Sequence, residues 1–282
     1  MIINYINWTA DPIFFRLGTF SVRWYSLFLV LSFFLSYLFM MDIYEREGKS
    51  RDTVVSYGLF ILAGLFIGGR LMHCLAYEPE YYLNHPWDII KPWRGKLGVN
   101  AVFVGYRGMS GHGSALGIVL GIILNSIRTK TSMVWMLDRI AIFGPLIGFF
   151  VRIGNFFNSE ILGKPSDAFW AVKFTRVDSL PRHPVQLYES FTYLLIFIAV
   201  YLFYRKNAGK EKPGSILGLV LILVYIDRFM LEFFKAKQSE VESGMSLNMG
   251  HLLSIPMIII GLILVFRPLT KKEKQSAISK EM

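Results

Sequence analysis

Arg152, Asn155, Asn158 and Glu160 follow directly on an apolar run long enough to cross a bilayer, in the stretch VRIGNFFNSEILG at 151–163. A guanidinium at a membrane boundary is costly unless something anionic meets it, so this group reads as an anion-binding site. The plainer alternative is a helix end whose arginine snorkels to the interface, and the amide and carboxylate neighbours argue against it. If the helix continues, Arg152, Asn155, Ser159 and Glu160 lie on one stripe, with Gly144 and Gly148 upstream of them. There a neighbouring backbone or a lipid can come close. A second constellation, VYIDRFMLE at 224–232, places Tyr225, Arg228 and Glu232 at i, i+3 and i+7. Arg228 and Glu232 could simply be a buried pair that sets helix register. Two guanidiniums in the same half of a bilayer would instead suit a lipid phosphate, which guanidinium matches bidentately. His112 heads a glycine-rich segment and is a candidate base, or a satisfied helix-end group. The motif RHPVQLYE at 182–189 adds polar groups, with Pro184 suited to a helix start.

The elements that must position these residues are membrane spans. Of 282 residues 54% are hydrophobic, with 24 Phe, 14 Tyr and 6 Trp, a composition that predicts an all-α integral membrane protein. Seven spans are expected, at 22–41, 54–75, 109–124, 134–153, 186–204, 216–234 and 250–266. The segments 42–52, 125–133, 205–212 and the tail from 267 hold 14 of the 30 Lys and Arg residues in short stretches. That bias predicts a cytoplasmic C-terminus and an exterior N-terminus, with the long loops 76–108 and 155–185 outside. Residues 1–266 form one expected catalytic domain and 267–282 a basic cytoplasmic tail.

Within the spans, Gly64 and Gly68 make a small-residue packing face that leaves Arg70 inside the bundle. Gly113, Gly117 and Gly121 form a four-residue ladder for close helix contact. The net charge of +10 is dispersed over loops between apolar runs, which fits an anionic membrane surface and argues against nucleic acid. The one cysteine, Cys74, excludes an internal disulfide and reads as a packing residue, and no Cys or His cluster implies a metal. The amphipathic, aromatic N-terminus lacks the basic start and cleavage region of a signal peptide. No metal or organic cofactor is expected.

The segments HGSALG (112–117), RIGNFFNSEILG (152–163), RHPVQLYE (182–189) and DRFMLEFF (227–234) resemble, in the right order, the signature segments of the bacterial prolipoprotein diacylglyceryl transferase family. RWYS (23–26), GGRL (68–71) and GHLLSIP (250–256) resemble its weaker ones. The resemblance implies seven transmembrane helices, N-terminus out. It also implies transfer of diacylglyceryl from phosphatidylglycerol to the lipobox cysteine of a preprolipoprotein in the inner membrane, releasing glycerol phosphate. By motif, Arg152 and Arg228 would hold the lipid head group and His112 would be the base, while Tyr25, Asn155, Glu160, Gly163 and Glu232 match further functional positions. The chain departs from the family pattern at Ser114, Ser26 and His251, and Tyr225 stands three residues before Arg228 instead of four.

Two other classes remain open on the residues alone. GMSG at 108–111 fits the GxSG pattern of rhomboid-like intramembrane serine proteases, with Ser110 as nucleophile and His251 as partner. An anion transporter would place substrate on broken, glycine-rich helices and arginine.

Overall fold

The computed structural model describes residues 5–18, 20–91, 93–94, 102–103, 109–207, 211–237 and 247–269. The described residues contain seven long helices: α1 (Trp24–Arg46), α2 (Arg51–Met72), α4 (Gly111–Thr129), α5 (Met133–Asn158), α6 (Val185–Asn207), α7 (Ser215–Glu232) and α8 (Met249–Phe266). A short α3 (Pro79–Asn84) lies between α2 and α4. Each long helix overlaps one expected span. Five candidate spans, α1, α2 with its π-helical extension to Tyr77, α5, α6 and α8, are long and apolar enough to cross a membrane, so this is a multi-pass membrane protein. α4 and α7 fall outside that set for different reasons, a polar start in α4 and charged side chains in an otherwise apolar α7. α4 opens on Gly-His-Gly-Ser, and α7 carries Asp227, Arg228 and Glu232.

Short strands also occur, which apolar runs alone do not reveal. They are β1 (Ile6–Trp8), β2 (Ile13–Leu17), β3 (Phe20–Arg23), β4 (Trp93–Arg94), β5 (Val102–Phe103), β6 (Val172–Phe174) and β7 (Pro181–Arg182). β6 pairs in parallel with β1 and antiparallel with β7; β2 and β3 form an antiparallel hairpin with a register shift between Ile13 and Phe15.

The chain divides into two compact units, Gly48–Met136 and the remainder, Met1–Glu47 with Leu137–Met282. In the first, α2 and α4 pack backbone to backbone. A Cβ on Gly64 would overlap the carbonyl of Gly117, one on Gly68 that of Gly113, and one on Gly121 that of Phe60. The expected glycine ladder is therefore a contact surface. Ser114 Oγ donates to the Leu65 carbonyl at 3.0 Å and Ser56 Oγ to Asn125 Oδ1 at 2.8 Å, polar links of the kind that hold helices together in lipid. Arg70 is buried and donates to the carbonyls of Ile89 and Asp88, both at 2.9 Å. This stitches the 3₁₀ turn Pro86–Ile89 onto α2. Cys74 is free and fully buried.

In the larger unit, α1, α5, α6, α7 and α8 carry polar networks at both ends. At one end Arg139 Nε pairs with Glu47 at 2.6 Å and Tyr204 Oη donates to the same oxygen at 2.9 Å. Asp138 accepts from the backbone N–H groups of Gly214 (2.7 Å) and Leu217 (2.8 Å). A carboxylate from α5 thus caps the start of α7, where Gly214 offers no side-chain cap. At the other end Phe156, Val172 and Phe174 form a small core, with Trp8 and Leu162 packed on it, and this core supports the segment after α5.

Candidate active site

The site begins where α5 stops. The expected stripe through Ser159 and Glu160 does not run on as helix: α5 ends at Asn158, and Ser159 and Ile161 both take φ of 56°. Such values reverse the chain direction, and at a β-branched residue they cost on the order of 1–3 kcal/mol. The turn brings Glu160 back over the helix end. Its N–H donates to the Asn155 carbonyl at 3.0 Å, and its exposed carboxylate accepts from Asn155 Nδ2 (3.1 Å) and Asn158 Nδ2 (3.2 Å). Gln186 at the start of α6 donates to the Glu160 carbonyl at 2.6 Å. Tyr25, in the first turn of α1, packs its ring where a Cβ on Gly154 would stand.

Arg152 is buried, and its Nε lies 2.9 Å from Glu189 Oε2, with Nη1 3.4 Å from Asn155 Oδ1. The other oxygen of Glu189 lies 2.8 Å from Lys235 Nζ, which is also 3.1 Å from Glu232 Oε2. Glu232 in turn stands 3.5 Å from Nδ2 of Asn248, the N-cap of α8. A side chain on Gly250 would collide with the Glu232 carboxylate, so glycine is what lets α8 begin against it. Glu232 therefore pairs with Lys235, and the alternative of an Arg228–Glu232 pair is not realised among the described residues. The register was right, but Lys235 reaches the same carboxylate from beyond the helix end.

Arg228 is left without an anion. Its Nε is buried with no hydrogen-bond partner, and it makes no ion pair among the described residues. Arg152, Arg228, Glu189 and Asp227 all act electrostatically on the buried Tyr193 of α6. Gly148 packs against the same tyrosine ring, while Gly144 faces open space. Tyr225 is half-buried on α7, one turn before Arg228.

Gly163 is the crossing point of three segments. It bridges to Lys235, its carbonyl accepts from Arg182 Nη1 at 3.1 Å, and a Cβ there would overlap the carbonyl of His183. Arg182 is fixed by Asp178, whose carboxyl is held below the usual range chiefly by that hydrogen bond. Burial pushes the His183 imidazole down; its Nδ1 lies 3.2 Å from Tyr188 Oη, which accepts from Trp170 Nε1 at 2.6 Å.

The model of the family described as prolipoprotein diacylglyceryl transferase matches residues 12–267. The chain is 43% identical over 265 residues to the phosphatidylglycerol–prolipoprotein diacylglyceryl transferase of Chloroherpeton thalassium, covering 94% of each chain. It is 40% identical over 268 residues to the protein of that name from Tolumonas auensis, covering 95% of this chain and 98% of that one. The Bacteroides fragilis protein of the same name is 39% identical over 263 residues, 93% and 94% of the two chains. The chain belongs to this family. Membership leaves the protease and transporter readings without support, and the geometry gives Ser110 and His251 other work. Ser110 is the N-cap of α4, its Oγ accepting from Gly113 N at 3.3 Å. His251 is buried in a capping box, its Nδ1 accepting from Asn248 N at 3.2 Å.

His112 lies in the unit formed by Gly48–Met136, exposed in the first turn of α4. The sequence names Glu189 and Gln186 only within a motif, and Lys235 and Asn248 carry no motif of their own. A signal for Lys235 was present: it stands three residues after Glu232, the spacing of a helical neighbour.

Proposed function

We propose that this transferase moves the diacylglyceryl group of phosphatidylglycerol onto the lipobox cysteine thiol of a preprolipoprotein, the first step of lipoprotein maturation. The observation that carries the reading is Arg228, half-buried with an Nε shielded from solvent and without an anion among the described residues, together with a second arginine, Arg152, that spends one nitrogen on Glu189. A phosphodiester head group supplies the missing charge, and guanidinium meets it with paired N–H donors.

In this proposal the substrate thiolate attacks the terminal glyceryl carbon. The carbon–oxygen bond to phosphate breaks, a thioether forms, and glycerol phosphate leaves with the bonding pair on its oxygen. Arg152 and Arg228 stabilise that charge in a water-poor site. Thiols ionise near pH 8.5, so a base raises the reactive fraction; His112 is the residue assigned that proton. Tyr25, Asn155 and Glu160 would line the head-group side, with Tyr225 a further contact and Gly163 and Glu232 shaping the backbone around it. The attacking sulfur comes from the substrate, which leaves Cys74 no role.

The placement proposed with this chemistry is the bacterial inner membrane, N-terminus outside and C-terminus in the cytoplasm. Residues 1–266 would work as one catalytic domain ahead of the basic tail 267–282, most of which lies outside the described residues. Nucleic acid has no part in it.

The test is transfer of labelled diacylglyceryl from phosphatidylglycerol to a lipobox peptide by wild type, Arg152→Ala and Arg228→Ala, with a Cys→Ser peptide as control. Labelling that needs the thiol and is lost in both folded variants supports the proposal. Labelling indifferent to either arginine refutes the head-group assignment.

A further inference from the structure

Lys235 is a buried cation that the transfer chemistry above does not use. Its side chain is 3% exposed, and its ammonium is shared between Glu189 (2.8 Å) and Glu232 (3.1 Å). α7 has ended before it, and the backbone around it is held from the opposite side. Lys164 N donates to the Phe234 carbonyl at 2.7 Å and Ala236 N to the Leu162 carbonyl at 3.0 Å, flanking the Gly163–Lys235 bridge. The segment that carries the family-matched Gly163 therefore sets the place of Lys235. From there an alternating row of charges, Arg152, Glu189, Lys235 and Glu232, leads to the N-cap Asn248 of α8.

The charge balance of this cluster turns on Lys235. Leaving aside Glu160, which is exposed and screened by solvent, the cations are Arg152, Arg228 and Lys235; the carboxylates are Glu189, Glu232 and Asp227, the last acting electrostatically with Glu189, Lys235 and Arg152. Without Lys235 the carboxylates outnumber the cations, in surroundings where salt screens little, and a phosphate would enter against net negative charge. Lys235 also engages the Glu189 oxygen that Arg152 does not use. Glu189 then holds the arginine at one nitrogen instead of two, which leaves guanidinium N–H groups for a ligand.

We infer that Lys235 is a positioning residue for the anionic head group of the donor lipid, acting through Glu189 on Arg152 and through the charge of the cluster, without touching the reacting atoms. This rests on the transfer reading and adds to it the residue that makes the site accept an anion. The test uses the full-length protein in mixed micelles of fixed composition, with KM for phosphatidylglycerol and kcat measured separately for Lys235→Met, Lys235→Arg and the double variant Lys235→Met with Glu232→Gln. Lys235→Met is expected to raise KM on the order of tenfold or more with kcat largely kept. Lys235→Arg should stay close to wild type, and the double variant, which removes one charge of each sign, should recover part of the KM. A wild-type KM in Lys235→Met, a loss confined to kcat, or a double variant no better than the single one overturns the inference. Should Lys235→Met fail to fold, the other two decide: near-wild-type KM in Lys235→Arg together with a KM raised well under about tenfold in the double variant supports it, and a KM raised about tenfold or more in either, or misfolding in either, overturns it. Arg228→Ala in the same assay separates the two readings, because full activity there removes the head-group site itself.

Discussion

A Glu189→Gln substitution keeps the shape of the side chain and removes the negative charge that two buried cations share. The carboxylate is fully buried, with Arg152 Nε 2.9 Å from one oxygen and Lys235 Nζ 2.8 Å from the other. With charge centres about 4 Å apart and an effective dielectric constant of about 20, each pair carries about 4 kcal/mol of attraction. Desolvation of all three groups offsets much of that in the native protein. Breaking the pairs is a different matter, because the cations stay buried and the new amide nitrogen must face one of them. Lys235 retains Glu232, whereas among the described residues Arg152 retains only Asn155 Oδ1 at 3.4 Å, so the loss falls mainly on Arg152. The expected destabilisation is about 3–5 kcal/mol, or roughly 10 °C in Tm. Thermal unfolding of the purified proteins in one detergent, followed by tryptophan fluorescence, measures it, with transfer assayed at a temperature where both are folded. A Tm within about 2 °C of wild type, or full transfer activity in the variant, would refute the reasoning that Glu189 holds both cations in place.

Gly117→Leu should separate α2 from α4, since its side chain would have to occupy the backbone of Gly64. A loss of about 3 kcal/mol or more, read as lowered Tm, is expected. Below neutrality the segment around His183 should loosen. The unfolded imidazole takes a proton near pH 6.5 while burial keeps the folded one from doing so. The unfolded state then binds more protons, and stability falls as pH drops through that value. Asp178, held low by Arg182, adds a second loss at more acid pH, beginning as the unfolded carboxyl protonates near 3.9. Hydrogen exchange of residues 163–186 from about pH 2.5 to 7.5 spans both, and exchange protection independent of pH contradicts them. Cys74→Ala should leave transfer intact; loss of turnover in folded protein would return Cys74 to the chemistry. Ser110→Ala should cost about 1 kcal/mol of α4 stability as a lost N-cap and leave transfer active, whereas abolished turnover in a folded variant would revive a nucleophilic role.

Long apolar runs were legible because a bilayer imposes length and composition together, and each expected span overlaps one long helix. What spacing could not convey was where a helix stops being one. Arg152, Asn155 and Glu160 were read on a single helical stripe, yet Glu160 reaches its amides through a left-handed turn at Ser159 and Ile161, neither of which is glycine. The Arg228–Glu232 pair failed for a related reason. Helical periodicity compares residues on one element, and the competitor Lys235 lies beyond the element, placed by Gly163 from 72 positions earlier in the chain. Gly163 itself was identified by motif alone; its physical reason, the close crossing with His183 and Lys235, exists only in three dimensions. The glycine ladder of α4 was readable without any fold, because small residues four apart have few other uses in an apolar helix.

Within the larger unit the two ends of the bundle use the same residue types to opposite effect. At the end formed by Glu47, Asp138, Arg139 and Tyr204, Glu47 meets Arg139 and a tyrosine hydroxyl, Asp138 caps α7, and Glu211 adds a second carboxylate to Arg139 at 3.5 Å. Such an end fixes helix register, because each of its carboxylates meets a partner within the protein. At the end formed by Arg152, Glu189, Glu232 and Lys235, pairing stops one cation short, and Arg228 remains with a buried nitrogen that no described residue engages. Shielding even one nitrogen of an unpaired guanidinium is destabilising by itself, and the supporting row from Glu189 through Lys235 and Glu232 to Asn248 helps keep the surrounding helices in place while that cost is borne. An anion that pairs with Arg228 should therefore stabilise as it binds. Added phosphatidylglycerol is expected to raise the Tm of wild type and to do so far less for Arg228→Ala, while variants at the paired end, such as Asp138→Asn, should lower Tm and keep the lipid-dependent increment. An equal increment in Arg228→Ala and wild type would mean that the unpaired arginine is not where the lipid's charge is met.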